Sequence, residues 1–372
     1  MTAAPARGAS DVTLIDTDDQ RDLASSVARF VAGQAPMSAV RETIRSEASF
    51  DPAVWRRLSQ EIGVAGLAIP EEYGGAGASW SDLVVAVRAL GAGLVPTPLL
   101  ATSVLAAGTL LALDDKDARR EWLPRFAEGT AIGTLAVSEG SRGWASGGSS
   151  VSVADGALTG TKTGVLNAAE ADVLLVSTAD GIFLVEKDAP GLTVTPVEGL
   201  DLTQGVATVA LENTPGRLLA GDAAAALDTV LDVANLVLAA EQAAATKACL
   251  DMTTEYAKIR YSFGQPIGIY QGVKHPLANI YTDWALTDAA VRRASESLAE
   301  GAATASLDAA AARHLASSGY VEAAKQTMLL HGGIGFTWEH DAHLYYRNAI
   351  TGNVLLGGPA FQQDRIAEKL GI

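Results

Sequence analysis

Along the first third of the chain, apolar positions recur three and four residues apart. Leu23, Val27, Phe30 and Val31 form one such stripe and Val54, Leu58 and Ile62 another, the spacing of helices with one face turned inward. Pro70, Gly74-Gly75, Gly91 and Pro96 to Pro98 interrupt the pattern, so five or six short helices are expected between about residues 17 and 128. From about 129 to 225 the period shortens to runs rich in Val, Thr, Leu and Ser, such as Leu174-Leu175-Val176, Ile182-Phe183-Leu184-Val185 and Val206-Ala207-Thr208-Val209. Ala154-Asp155-Gly156 and Ala179-Asp180-Gly181 are turn formers between such runs, and the segment reads as a small β domain. A long Ala-rich helical stretch follows at 222–262, ended by Gly264 and Pro266, with Pro276 expected to open the next helix. Further helices are expected at about 276–299 and 304–330, then a glycine break and short C-terminal helices. The expected fold class is α+β and multidomain: an N-terminal α-helical domain (1–128), a small central β domain (129–224) and a C-terminal four-helix bundle domain (225–372).

Composition narrows the function. With 372 residues, 48% of them hydrophobic, the chain can bury more than one core. Residues 1–12 have no apolar core of a signal peptide and are expected to be a frayed start. The apolar stretch 222–248 is broken by Asp, Asn, Glu and Lys before about 18 clean residues accumulate, so no membrane span is expected and the protein reads as soluble and cytoplasmic. A single cysteine, Cys249, excludes an intrachain disulfide and argues against a Cys-based metal site; it is expected to be a small buried hydrophobe. The net charge of −16 opposes binding to nucleic acid or an anionic membrane. A polyanionic small molecule must therefore find local cations and backbone donors.

The richest stretch for chemistry runs from Tyr256 to Gln271. It ends a helix with the Arg260 guanidinium, the Phe263 ring and the Gln271 amide arranged around a Gly-Pro turn. A planar guanidinium suits phosphate, although a capped helix and a hairpin turn account for the same residues. Arg260, Phe263, Gly264, Ile267 and Gln271 match the pattern R-x-x-F-G-x-x-I-x-x-x-Q, and here the chain resembles the acyl-CoA dehydrogenase family. The resemblance extends to Trp55-Arg56-Arg57-Leu58, Ile69-Pro70-Glu71-Glu72-Tyr73-Gly74-Gly75, Ala136-Val137-Ser138-Glu139, Gly160-Thr161-Lys162 and the run from His331 to Glu339.

That resemblance implies FAD as cofactor, an acyl-CoA thioester as substrate, electron-transfer flavoprotein as acceptor and a homo- or heterotetramer. It implies that Arg260, Phe263 and Gln271 reach across a dimer interface to the neighbour's FAD. His331 and the Gly332-Gly333-x-Gly335 turn would bring backbone amides close to the flavin nucleotide, and Val137 and Ser138 would lie against the isoalloxazine. The implied reaction removes the α proton with a carboxylate and the β hydrogen as hydride to the flavin.

Here the sequence departs from the family. One position for the proton-abstracting glutamate falls on Ala234, beside Asn235; the other, in a Y-E-G-T motif, falls on Gly357 within Leu355 to Gln362. Leu329 stands where many relatives have glutamine. Glu241 lies seven residues after Ala234, within about 20° of the same helix face and roughly 10 Å further along the axis. It is the only carboxylate between Asp232 and Asp251. An unpaired charge buried there would cost several kcal/mol, so Glu241 is expected either to pair with a neighbouring helix or to act as a displaced catalytic base with a raised pKa.

Other residues carry weaker signals. His340 and His343 have a spacing seen in metal sites, but no Glu or Cys completes a set, and no metal is expected. Thr337 is expected to be a helix N-cap, His275 and His314 structural, and Tyr345, Tyr346 and Arg347 interface residues. Three functions follow: a self-sufficient acyl-CoA dehydrogenase using Glu241, a non-catalytic partner subunit completing the FAD site of a heterotetramer, or a flavin-dependent monooxygenase on the same fold. The alanines at 234, 239, 240 and 243–245 leave room for a bulky acyl chain such as a steroid side chain, or let helices approach closely.

Overall fold

The computed structural model describes residues 16–46, 48–140, 144 and 149–372. The start expected to be frayed, 1–12, lies outside them. Six α-helices come first, four of them begun by a side-chain cap. In α1 (Asp18–Gln34) Thr17 and Gln20 cap one another through side chain and backbone. After α2 (Met37–Thr43), Asp51 caps α3 (Pro52–Arg57), where Pro52 fits the first position because it has no N–H to satisfy. Ser79 and Asp82 form the capping box of α4 (Trp80–Ala92). A π-helical stretch, Leu100–Ala106, runs into α5 (Ala107–Ala112), and Asp115 caps α6 (Lys116–Ala127).

Eight strands follow: β1 (Gly133–Ala136), β2 (Ser152–Ala154), β3 (Ala157–Leu166), β4 (Val173–Thr178), β5 (Gly181–Glu186), β6 (Leu192–Pro196), β7 (Val206–Pro215) and β8 (Arg217–Leu218). They form two four-stranded sheets, in the orders β1-β4-β5-β8 and β2-β3-β7-β6; only the β1–β4 pair is parallel. Alternate side chains of β3 and β7, including Leu158, Val165, Val209 and Leu211, share a core with Leu174, Val176, Phe183 and Val185 of the other sheet.

Asp222 caps α7 (Ala223–Ile259), which runs for 37 residues. It is long and apolar enough to cross a membrane, yet 67% of its most apolar window is buried, against α4, α5 and two long helices that follow. The chain leaves α7 at Arg260 in an extended conformation and turns through a short hairpin, β9 (Tyr261–Ser262) and β10 (Gln265–Pro266). Next come α8 (Gln271–Ala299), α9 (Ala305–His331), a 3-10 turn over Gly332–Phe336, α10 (Ala342–Val354) and α11 (Pro359–Leu370).

Three expectations need correcting. Pro276 lies inside α8, which opens at Gln271; so close to the helix start it forfeits one bond, to the Gly272 carbonyl. Thr337 is not a helix N-cap: its hydroxyl donates to the Ile334 carbonyl at 2.8 Å, and Asp341 precedes α10. Tyr345 is a core residue rather than a surface one, its hydroxyl donating to the Ala92 carbonyl at 2.7 Å. Ala239, Ala240 and Ala243 are buried against α8 and α9 residues such as Val291, Ala294, Ala312 and Ala316, so these alanines serve close helix packing. Cys249 is buried, as its apolar surroundings imply.

Candidate active site

At one end of the bundle the β9–β10 hairpin projects from the body. Phe263 and Gly264 occupy its two-residue turn with φ of +50° and +77°, a mirror-image turn in which a bulky aromatic is strained. The Tyr270 hydroxyl braces the turn, donating to the Ser262 carbonyl at 2.9 Å. Phe263 is 95% exposed and Ile259 75%, a large apolar area for a chain on its own. Arg260 and Gln271 are exposed alongside, and among the described residues the Arg260 guanidinium takes part in no ion pair or hydrogen bond.

The glycine turn lies next to this arm. Tyr256, one turn before the end of α7, stacks on His331 with ring centroids 4.3 Å apart, and His340 packs on the other side at 4.3 Å. His331 Nδ1 is 2.7 Å from the Thr327 carbonyl oxygen, its Nε2 is buried without a partner among the described residues, and burial lowers its pKa. Gly332 and Gly333 are exposed, and a Cβ at either would meet nothing within 4 Å, so their backbone is open to an approaching group. Gly335 is the tight member: its Cβ would fall 2.5 Å from the Met328 carbonyl oxygen.

In the β domain Val137 is buried and Ser138 half-buried, and the stretch is held from behind. The fully buried Lys162 ammonium donates to the Val137 carbonyl at 3.1 Å and to Glu139 at 2.5 Å, while the Thr163 N–H donates to the Ser138 carbonyl at 2.9 Å. Burial alone would raise Glu139, but donors from Lys162, Ser149 and Ser150 hold it at about 2. Burial also lowers Lys162, in spite of its partner. Both residues stand in stretches that carry the family resemblance, Glu139 in Ala136 to Glu139 and Lys162 in Gly160 to Lys162; what the motifs do not show is that they pair.

Neither base position carries an acid. Ala234 is completely buried, and Asn235 beside it exchanges amide hydrogen bonds with Gln362. Gly357 has φ of +107°, and a Cβ there would overlap the Phe361 ring. Letter by letter, Y-E-G-T over Leu355 to Gly358 places Leu356 beneath the glutamate; Leu356 has φ of +57° and no acid either.

Glu241 is partly buried where α7 crosses Gly91 of α4. Among the described residues it accepts no hydrogen bond and closes no ion pair. Burial, then repulsion from Asp201, push its pKa up to about 7, against attraction from Arg313. Asp201 is itself buried and raised, held by Thr203 and by Asn348 at 2.9 Å. Among the described residues no group of three or more His, Cys, Asp or Glu side chains is placed to hold a metal ion.

Comparison with known proteins agrees with this geometry. Residues 17–130 match the acyl-CoA dehydrogenase N-terminal domain and residues 217–371 the C-terminal domain. Acyl-CoA dehydrogenase IpdE2 of Mycobacterium tuberculosis is 35% identical over 342 residues, covering 92% of this chain and 94% of the relative. IpdE2 of Mycolicibacterium smegmatis is 36% identical, covering 94% and 98%. Among solved structures, the Tcur3481-Tcur3483 steroid acyl-CoA dehydrogenase superposes with a TM-score of 0.87 at 30% identity, over 95% of this chain and 98% of that one. The ChsE4-ChsE5 complex of Mycobacterium tuberculosis gives 0.88 at 29% identity, over 96% and 98%. The chain therefore belongs to the acyl-CoA dehydrogenase family, FAD-dependent oxidoreductases that act on acyl-CoA.

Proposed function

We propose that this chain is the base-less subunit of a two-chain acyl-CoA dehydrogenase, a heterotetramer in which the partner chain supplies the proton-abstracting carboxylate. The observation that carries the reading is the absence of an acid at Ala234, Leu356 and Gly357, together with the Phe361 ring in the space a side chain at 357 would need. The two solved relatives that superpose on it at 29–30% identity are both named as pairs of chains.

Bound FAD would supply the acceptor for the substrate's β hydrogen. The residues present fit such a dinucleotide. Arg260 is exposed and unpaired among the described residues, and Gly332 and Gly333 present exposed backbone with no Cβ to obstruct a phosphate. Phe263 and Gln271 complete the arm, His331 supports the glycine turn from beneath, and the exposed Ile259, Tyr261 and Phe263 form the apolar surface that a partner covers. Val137 and Ser138 belong to the flavin-facing wall. The substrate is an acyl-CoA with a bulky, steroid-derived acyl group, in line with the steroid relative; the electron acceptor is an electron-transfer flavoprotein, and the setting is cytoplasmic.

Flavin stoichiometry of the chain co-purified with its partner tests the reading. One FAD for every two chains is expected; one FAD in every chain would contradict it. A second reading is favoured by Glu241, whose unbonded carboxylate and pKa of about 7 suit a general base. Against it stands distance: the roughly 10 Å from Ala234 along α7 exceeds the reach of a glutamate side chain.

A further inference from the structure

We propose that Arg41 of α2 is a positioning residue for the dinucleotide site, its guanidinium setting where the glycine turn stands. The inference rests on the reading of that turn as part of the FAD site and adds what holds it in place. The run from Gly332 to Asp341 has little apolar anchorage of its own: Ile334, Phe336 and Trp338 are 40%, 60% and 58% exposed. Its internal bonds are single turns, from the Thr337 N–H to the Ile334 carbonyl at 3.0 Å and from the His340 N–H to the Thr337 carbonyl at 3.4 Å. Among the described residues, the hydrogen bonds that reach the run from outside it and its flanking helices all come from Arg41. Nε donates to Asp341 Oδ1 at 2.7 Å and Nη1 to the Trp338 carbonyl at 2.7 Å, across 300 and 297 residues of sequence.

The short helix that presents Arg41 is itself seated on the bundle. Met37, Arg41 and Ile44 stand four and three residues apart, one stripe of α2 and its C-cap. Met37 and Ile44 pack on an apolar cluster that includes Leu94 and, from α10 just beyond Asp341, Leu344 and Tyr345. The Arg41 side chain is 15% exposed and that of Asp341 34%. A planar fork grips a carboxylate and a carbonyl together, which the point charge of an ammonium does not. The near end of the run is held by His331 stacked on Tyr256 of α7, the far end by Arg41. The glycine turn thus hangs between two struts. Because Asp341 neutralises Arg41, the second strut acts by placement rather than by adding charge at the phosphates.

Titration of FAD into the flavin-free two-chain complex, followed by flavin fluorescence, tests the assignment, with the Tm of the flavin-free complex measured alongside. Arg41→Gln and, separately, Asp341→Asn are expected to raise the FAD dissociation constant about tenfold, the scale of one charge-assisted hydrogen bond, and to lower Tm by no more than about 3 °C. The double variant should bind FAD no more than about twofold more weakly than either single one, because both substitutions remove the same contact. Arg41→Lys, which keeps the charge and loses the fork, should still bind at least about fivefold more weakly than the unaltered chain. Unaltered affinity in Arg41→Gln, full recovery in Arg41→Lys, losses that add in the double variant, or an affinity loss accompanied by a larger fall in Tm would each overturn the proposal. The base-less reading is tested on the unaltered complex, by the number of flavins per chain, so the two can fail separately.

Discussion

Arg313 and Glu241 attract one another inside the helical bundle without closing an ion pair. Arg313 donates to Gln242 at 2.8 Å and to main-chain carbonyls, and its Nε–H is buried without a partner among the described residues. Burial lowers it to about 10 against the attraction of Glu241, while burial and Asp201 raise Glu241 to about 7. Glu241, two helical turns beyond Ala234, is thus held toward its neutral form in spite of the arginine's attraction.

Glu241 gives the first prediction. Its folded pKa of about 7 lies above the ordinary 4.5. Between those values the folded chain keeps a proton that the unfolded chain has released, so stability falls as pH rises through that window and stays lower above it, by an amount of order 2–3 kcal/mol. Glu241→Gln should flatten the Tm profile between about pH 5 and 7, with Asp201 leaving a residual slope. In the two-chain complex it should change kcat by less than about threefold; a loss beyond about a hundredfold is the outcome for a general base.

Lys162 gives the second. Lys162→Met leaves Glu139 to its serine donors and should destabilise the chain by about 3 kcal/mol in urea unfolding. Glu139 at about 2, below its ordinary 4.5, contributes stability that is present above 4.5 and lost as pH falls toward 2. The variant should show a smaller loss over that acid range.

Phe263 should separate folding from assembly. Phe263→Gly relieves a left-handed aromatic that is 95% exposed, so the stability of the chain alone should change by no more than about 1 kcal/mol. Flavin retention by the co-purified complex, read by absorbance after gel filtration, should fall at least about tenfold, the scale of losing one aromatic interface anchor.

Gly357 should resist conversion into a base position. Both Gly357→Ala and Gly357→Glu place a Cβ on the Phe361 ring at φ of +107°. Each should lower stability by about 2–4 kcal/mol, and Gly357→Glu should confer no turnover on the chain alone.

Much of the fold is legible from periodicity. The helical stripe at Leu23 to Val31, the continuous apolar runs of β4 and β5, and the Phe263-Gly264 turn at the end of α7 all appear where local spacing places them. Local signals mislead where tertiary packing overrides them: Pro276 is absorbed into a helix and Tyr345 is drawn inward to the Ala92 carbonyl. The arm and glycine turn are legible as motifs, because each is a short run of chain. The polar interior is not, because Glu139 with Lys162, Asn235 with Gln362 and Gln242 with Arg313 are pairs 23, 127 and 71 residues apart. Each looks like an isolated polar residue until the fold joins it to its partner.

The central claim is that this chain holds the flavin arm but not the carboxylate. Anaerobic mixing of the chain, purified alone and reconstituted with FAD, with an acyl-CoA in heavy water tests it most directly. The expected result is no flavin bleaching and no deuterium at the α carbon, both appearing once the partner chain is present and both lost with Arg260→Ala. Bleaching and α-deuteration by the chain alone would contradict the account.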